Sequence, residues 1–219
     1  MVEPTKPIVI AVDGPAASGK GTLSSNLAAY FNYARLDTGL IYRALGLKAL
    51  NDGADPNDKN KIVQIAIDLS FEDFEQEALR CENVGAVASI VSTIPEVRKV
   101  LLEYQRKFAS SPPNGRLGAV LDGRDIGSIV CPNAQIKIFL IADAKIRAAR
   151  RFKELQERGS KAIHSRILRD IKERDARDSM RSIAPLKPAK DAFVLDTSHL
   201  DAYEVLEAAL DYISTQNRN

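Results

Sequence analysis

The stretch "IAVDGPAASGKGT", residues 10–22, decides the fold. It opens inside an apolar run, Ile8 to Val12, that stops at Asp13, as a strand buried on both faces would. Beyond it, Leu23, Leu27, Tyr30 and Phe31 recur at helical spacing. Between strand and helix, Gly14, Gly19 and Lys20 satisfy the pattern G-x-x-x-x-G-K. Small residues and glycines let backbone amides point inward around a phosphate. The helix start adds a field that favours the anion, and Lys20 reaches toward the terminal phosphates. The candidate phosphate-binding residues are therefore Gly14, Pro15, Ala16, Ala17, Ser18, Gly19, Lys20, Gly21 and Thr22. The strict pattern places Ser or Thr directly after the lysine to ligate Mg²⁺, but here Gly21 intervenes and Thr22 follows. No direct protein ligand for Mg²⁺ is expected; the ion would rely on phosphates and water.

Working outward, five short apolar runs alternate with helical patterns: "PIVIAVDG", "ARLDTG", "GAVLDGRD", "QIKIFLIA" and "DAFVLDT". Continuous apolarity indicates strands covered on both faces, so a three-layer α/β fold around a five-stranded parallel sheet. Helical stripes run through Ile62, Ile65, Ala66 and Leu69; through Val97, Val100, Leu101, Tyr104 and Phe108 after Pro95; and through Val205, Leu206, Leu210 and Ile213. Residues 40–112 and 145–185 each separate neighbouring strands by more than one crossover helix requires. They are candidate lobes over the strand ends, where open α/β sheets bind ligands.

The composition, 45% hydrophobic and 27% charged over 219 residues, suits a soluble protein with one main core. No run approaches a membrane span and the first apolar run suits no signal peptide, so an intracellular location is expected. Cys81 and Cys131 form no C-x-x-C pair and are read as small buried hydrophobes. His164 and His199 lack metal-ligand spacing and are read as surface or capping residues. The net charge of +2 hides an asymmetry, because residues 145–181 carry 13 Lys and Arg against 6 Asp and Glu. That segment suggests a local polyanion partner; a solvated helix laced with ion pairs is the competing reading.

The remaining charges suggest what the phosphate loop faces. Thr38 is positioned to cap the helix after "ARLD", and Arg43 lies one turn further. Asp122, Arg124 and Asp125 cluster at the carboxyl end of a strand in "VLDGRD". In "RILRDIKERDARDSMR", Ile167, Ile171, Arg174, Asp178 and Arg181 fall on one helical band that turns from apolar to ionic partway along. A triphosphate meeting a second phosphate needs cations from several directions, and Lys20, Arg43, Arg124 and the 145–181 segment supply them. No histidine sits in these motifs. A monophosphate acceptor needs none, since its second pKa is near 6 and its oxygen is largely ionised at neutral pH. A GTP-hydrolysing switch is disfavoured because no N-K-x-D sequence occurs. An RNA-binding module is disfavoured because Phe152 is the one aromatic residue in the basic segment.

Taken in order, "GPAASGKGT", "LDTGLIYR", "STIPEVR", "DGRDIG" and "IKERDARDSMRSIAPL" resemble the bacterial cytidylate kinase family along nearly the whole chain. The resemblance implies transfer of the γ-phosphoryl group of ATP to CMP or dCMP, with Mg²⁺. The alternative is a P-loop kinase with another small acceptor. It implies one kinase domain over residues 1–219, with a core of 1–39, 113–144 and 186–219. A monophosphate-binding lobe would span about 40–112, and a lid with flanking helices about 145–185, its tip near Gly159. ATP would bind at residues 14–22. Thr38, Arg43 and Arg124 would hold the acceptor phosphate, and Ser89, Arg98 and Asp125 would read cytosine. Arg174, Asp178 and Arg181 would reach the acceptor's sugar and phosphate. Lys20, Arg124, Asp125 and the lid arginines Arg150 and Arg151 would serve the transfer. Cytosine offers acceptors at O2 and N3 and a donor at N4, which suits an arginine fork beside Ser89 and Asp125. The partners are small nucleotides, without nucleic acid or membrane, and a cytoplasmic monomer is expected. The short "SFEDFEQEA" between Leu69 and Leu79 replaces a small extra sheet carried by longer members.

Overall fold

Consecutive apolar residues build the strands, and the order of the strands positions the phosphate loop. The computed structural model describes residues 6–70, 76–181 and 183–216. The five apolar runs form β1 (Ile8–Asp13), β2 (Ala34–Asp37), β3 (Gly118–Gly123), β4 (Ile136–Ile141) and β5 (Phe193–Asp196). They make one sheet in the order β2-β3-β1-β4-β5. The middle strand β1 runs parallel to β3, with Ile8 opposite Gly118 and Asp13 opposite Gly123. On its other side it runs parallel to β4, with Ile10 opposite Ile136. β3 is buried along its whole length, the charged Asp122 included. β5 closes one edge and alternates instead, leaving Val194 half exposed.

The chain divides into two compact units, residues 1–36 with 109–219, and residues 37–108. In the first, α1 (Lys20–Phe31) and α9 (Ala202–Gln216) cover the sheet. Leu23 and Leu27 of α1 and Val205, Ala209 and Ile213 of α9 share a core with Ile10, Val12, Val120, Ile138 and Leu140. Outside that core, α7 (Ala144–Glu157) packs against α8 (His164–Met180). Ala148 and Leu155 there meet Ile167 and Ile171, the apolar half of the band read from the sequence.

The second unit is helical: α2 (Thr38–Asn51), α3 (Lys59–Ile67), the short α4 (Gln76–Leu79), α5 (Glu82–Val91) and α6, which starts at Pro95 and runs to Ser110. α2 and α5 cross closely at Gly46, where a Cβ would lie 3.1 Å from the Ala88 amide nitrogen. Three expectations are corrected here. The cap of α2 is Asp37, whose Oδ1 accepts from the Gly39 amide, while Thr38 is the first helical residue and is buried. α3 ends at Ile67, so Leu69 lies beyond it and only Ile62, Ile65 and Ala66 are buried on its stripe. Cys81 is exposed because it begins α5 from a loop, and Cys131 is only half buried. Most of the short segment between Leu69 and Leu79 lies outside the described residues.

Candidate nucleotide site

The phosphate loop connects Asp13 to Lys20 through three residues of positive φ: Gly14 at 145°, Ala17 at 58° and Gly19 at 92°. Gly14 is required, because a Cβ there would collide with the Leu140 carbonyl oxygen and stand 3.2 Å from Ser18 Oγ. Lys20 is buried, and its Nζ folds back to donate to the Pro15 carbonyl at 2.7 Å. Ser18 Oγ is fully enclosed with no hydrogen-bond partner among the described residues. An orphaned hydroxyl inside such a loop fits a site that a phosphate oxygen completes.

Asp13, absent from the motif reading, ties this loop to the strand end that carries "DGRD". Its Oδ1 accepts from the Ile126 amide and its Oδ2 from the Gly127 amide, both at 2.8 Å. Those amides open a wide turn over Ile126–Val130, in which Val130 and Cys131 bond to carbonyls five residues back. Burial pushes the Asp13 carboxyl up to about 6, against the pull of the two amides. Asp125, itself buried, adds repulsion and Lys20 adds attraction.

The departure after the lysine has a visible neighbour. A Cβ on Gly21 would lie 3.4 Å from Arg35 Nη2. The same nitrogen pairs with Asp122 Oδ2 at 3.0 Å. So Arg35, which the sequence reading passed over, stands beside the residue where the strict motif has its metal-ligating hydroxyl, bonded to the carboxylate at the end of β3. Among the described residues no group of three or more His, Cys, Asp or Glu side chains is arranged to hold a metal.

The ionic half of the α8 band meets Arg124. Asp178 is almost fully buried and accepts from Arg124 Nε at 3.0 Å and from Arg181 Nη2, with Arg174 Nε at 4.0 Å. Burial raises the Asp178 carboxyl, but the three guanidinium groups outweigh it and hold it below the usual carboxylate range. Arg124, Arg174, Asp178 and Arg181 therefore form one cluster. Arg150 lies elsewhere: it donates to the Thr197 carbonyl and Oγ1 and to the Leu200 carbonyl. Arg151 pairs with Glu154 at 2.8 Å. Sequence reasoning missed Arg147, which is buried and grips Asp175 through two nitrogens at 3.1 and 2.6 Å. It also donates to the carbonyls of Ala142 and Ala16, the latter in the phosphate loop. Its position one turn before Arg151, flanking the stripe of Ala144, Ala148, Phe152 and Leu155, was the available signal. Thr197 adds a further tie, donating from Oγ1 to the Ser18 carbonyl at 3.0 Å.

In the helical unit, Arg43 Nη1 donates to the Leu79 carbonyl at 2.8 Å and to the Cys81 carbonyl at 3.3 Å. Gly85 makes room for it, since a Cβ there would press on the guanidinium. Ser89 is buried on α5, and its carbonyl accepts from Ser92 Oγ at 3.0 Å. Arg98 lies over the Tyr42 ring, 5.8 Å from its centroid, with Nη1 3.4 Å from the Ser92 carbonyl. Arg98 and Ser89 thus converge on the same end of α5.

A phosphate loop between the middle strand and its helix, with arginines gathered on a carboxylate from α8, defines a P-loop kinase. An unliganded sugar kinase from a Janibacter species has the same fold, with a TM-score of 0.51 over 95% of each chain and 13% identity. Residues 10–215 match the family described as cytidylate kinase. A cytidylate kinase of Paramagnetospirillum magneticum is 52% identical over 95% of this chain and 98% of its own. One from Bradyrhizobium diazoefficiens is 52% identical over 94% of this chain and 95% of its own. The chain belongs to the cytidylate kinase family.

Proposed function

We propose that this chain transfers the γ-phosphoryl group of ATP to CMP or dCMP, giving ADP and CDP or dCDP. The observation that carries the reading is the 52% identity to a cytidylate kinase over nearly both full lengths. The loop of residues 14–22 binds the ATP phosphates, with Lys20 neutralising charge that shifts during transfer. The acceptor phosphate is already ionised at neutral pH and needs no general base. Arg43, Thr38 and Arg124 orient it in line, and Arg181 and Arg174 add positive charge, with Asp178 fixing their forks. Ser89, Arg98 and Asp125 read cytosine. Mg²⁺ would enter bound to the nucleotide and would supply positive charge to its phosphates. Arg150 and Arg151 belong to a lid over about 145–185; to reach ATP they exchange their present partners, Thr197, Leu200 and Glu154, for phosphate oxygens. No helix among the described residues is long and apolar enough to cross a membrane. We place the enzyme in the cytoplasm as a monomer acting on free nucleotides.

An acceptor panel tests this reading. With ATP and Mg²⁺, ADP release is fast with CMP and dCMP and at least about tenfold poorer in kcat/KM with UMP, because each mismatched buried polar group costs about 1–3 kcal/mol. Arg98→Leu narrows the CMP-to-UMP ratio. Equal kcat/KM for UMP, or an unchanged ratio in the variant, rejects the assigned base readers. Turnover of a different small acceptor in place of CMP rejects the function itself.

A further inference from the structure

We propose that Arg147 is a positioning residue for phosphoryl transfer: held by Asp175 of α8, it fixes the Ala16–Ala17 peptide of the phosphate loop so that the Ala17 amide meets the phosphates of ATP. The inference rests on the reading of the chain as an ATP-dependent kinase. Arg147 stands near the start of α7, with its side chain only 5% exposed. Its Nε donates to the Ala142 carbonyl at 2.9 Å, and Nη1 and Nη2 grip the Asp175 carboxylate at 3.1 and 2.6 Å. Nη1 also donates to the Ala16 carbonyl at 3.2 Å. One rigid fork thus spans the chain just after β4, the middle of α8 and the phosphate loop.

Such a loop receives an anion only if its amides, and not its carbonyls, face the ligand. A trans peptide points its carbonyl and its N–H in opposite directions, and the described residues contain no cis peptide. Whatever holds a carbonyl therefore aims the amide that follows it. Donors from far along the chain hold two of these carbonyls: Arg147 at Ala16, and Thr197 Oγ1 at Ser18 at 3.0 Å. The Gly19 carbonyl accepts from the Leu23 amide of α1. Ala17, whose amide follows the Ala16 carbonyl, has a φ of 58°, a left-handed conformation that disfavours any residue with a Cβ. Arg147 opposes the relaxation of that strain. Its two-pronged grip on Asp175 resists the peptide rotation that would turn the Ala16 carbonyl inward, against the charge of a phosphate.

The test is calorimetry on the full chain with ATP, inorganic tripolyphosphate and CMP, each added alone. Arg147→Met weakens ATP and tripolyphosphate by about tenfold each, and CMP by less than about threefold. Arg147→Lys keeps the charge but lacks the planar fork, and loses at least about fivefold in ATP affinity. Asp175→Asn weakens ATP in the same direction; added to Arg147→Met it costs less than about a further twofold, because the two residues act as one unit. Native ATP affinity in Arg147→Lys would make the residue a point charge. An equal loss for CMP would make it a brace between α7 and α8. Fully additive losses in the double variant would separate Asp175 from the loop. Each of these results overturns the proposal, as does unchanged ATP affinity in Arg147→Met. If Arg147→Met does not fold, Arg147→Lys and Asp175→Asn decide by the same split between ATP and CMP. Failure of the native chain to bind ATP and tripolyphosphate overturns the kinase reading instead, and the proposal with it.

Discussion

Replacing Asp13 with asparagine keeps the shape of the side chain and removes its charge. In the native chain this carboxyl sits at about 6, well above the 3.8 of an ordinary aspartate. That displacement amounts to roughly 3 kcal/mol of lost stability at a pH above both values. Asparagine relieves that cost, but its single carbonyl oxygen cannot accept from both the Ile126 and Gly127 amides. One buried amide is orphaned, at about 1–3 kcal/mol. At pH 7.5 the two effects nearly cancel. Between pH 3.8 and 6 the folded chain binds more protons at Asp13 than the unfolded chain, so native stability falls as pH rises through that window. The variant lacks this slope. Going from pH 5 to pH 7.5, the stability difference shifts in favour of Asp13→Asn by roughly 1–2 kcal/mol. Asp125 and Lys20, which face Asp13, are present in both chains and do not produce the difference. Urea unfolding of both proteins at the two pH values reads it directly. An identical gap at pH 5 and pH 7.5 refutes the reasoning, because Asp13 would then titrate as a solvated carboxylate. The substitution also loosens the turn beside Arg124 and Asp125, so kcat/KM for CMP falls about tenfold.

Asp178→Ala leaves Arg124, Arg174 and Arg181 without their shared buried carboxylate and costs about 3–5 kcal/mol in urea unfolding; a loss below about 1 kcal/mol would show the cluster to be solvated. Because the folded value of Asp178 lies below its unfolded value, its contribution is present above pH 3.8 and disappears as pH falls through the folded value, so Asp178→Asn flattens the acid limb of the stability profile. Gly14→Ala drives a methyl group toward the Leu140 carbonyl at a φ of 145° and lowers stability by at least about 2 kcal/mol in thermal melts. An unchanged melting temperature would mean that the loop relaxes without cost.

The parts of this structure written as side-chain periodicity were legible. The runs around Ile8, Gly118 and Ile136 announce buried strands, and Ile167 and Ile171 announce the side of α8 that packs on α7. What escaped depends on backbone partners far away in sequence. Asp13 bonds to two amides more than a hundred residues on, and amides carry no sequence signature. Arg147 sat unremarked in a basic run because its partners are the carbonyls of Ala142 and Ala16 and a carboxylate on another helix. Arg35 was hidden inside "ARLD", where a strand reading accounts for every residue. Cys81 was misjudged because hydrophobicity assigns thiols to the interior, and a residue beginning a helix from a loop stays outside. Arg174, Asp178 and Arg181 share one helical band in the sequence, and the fold brings Arg124 to them, while Arg150 is engaged with Thr197 and Leu200.

The strand order also has a consequence for biogenesis. β1 leaves the ribosome before either strand that flanks it, and both of those follow it by more than a hundred residues. During translation its apolar edges wait, unpaired, for Gly118–Gly123 and then Ile136–Ile141. A nascent chain of this kind keeps an apolar strand exposed while more than a hundred residues are added, which favours slow, late closure of the sheet and makes chaperone protection of that strand valuable.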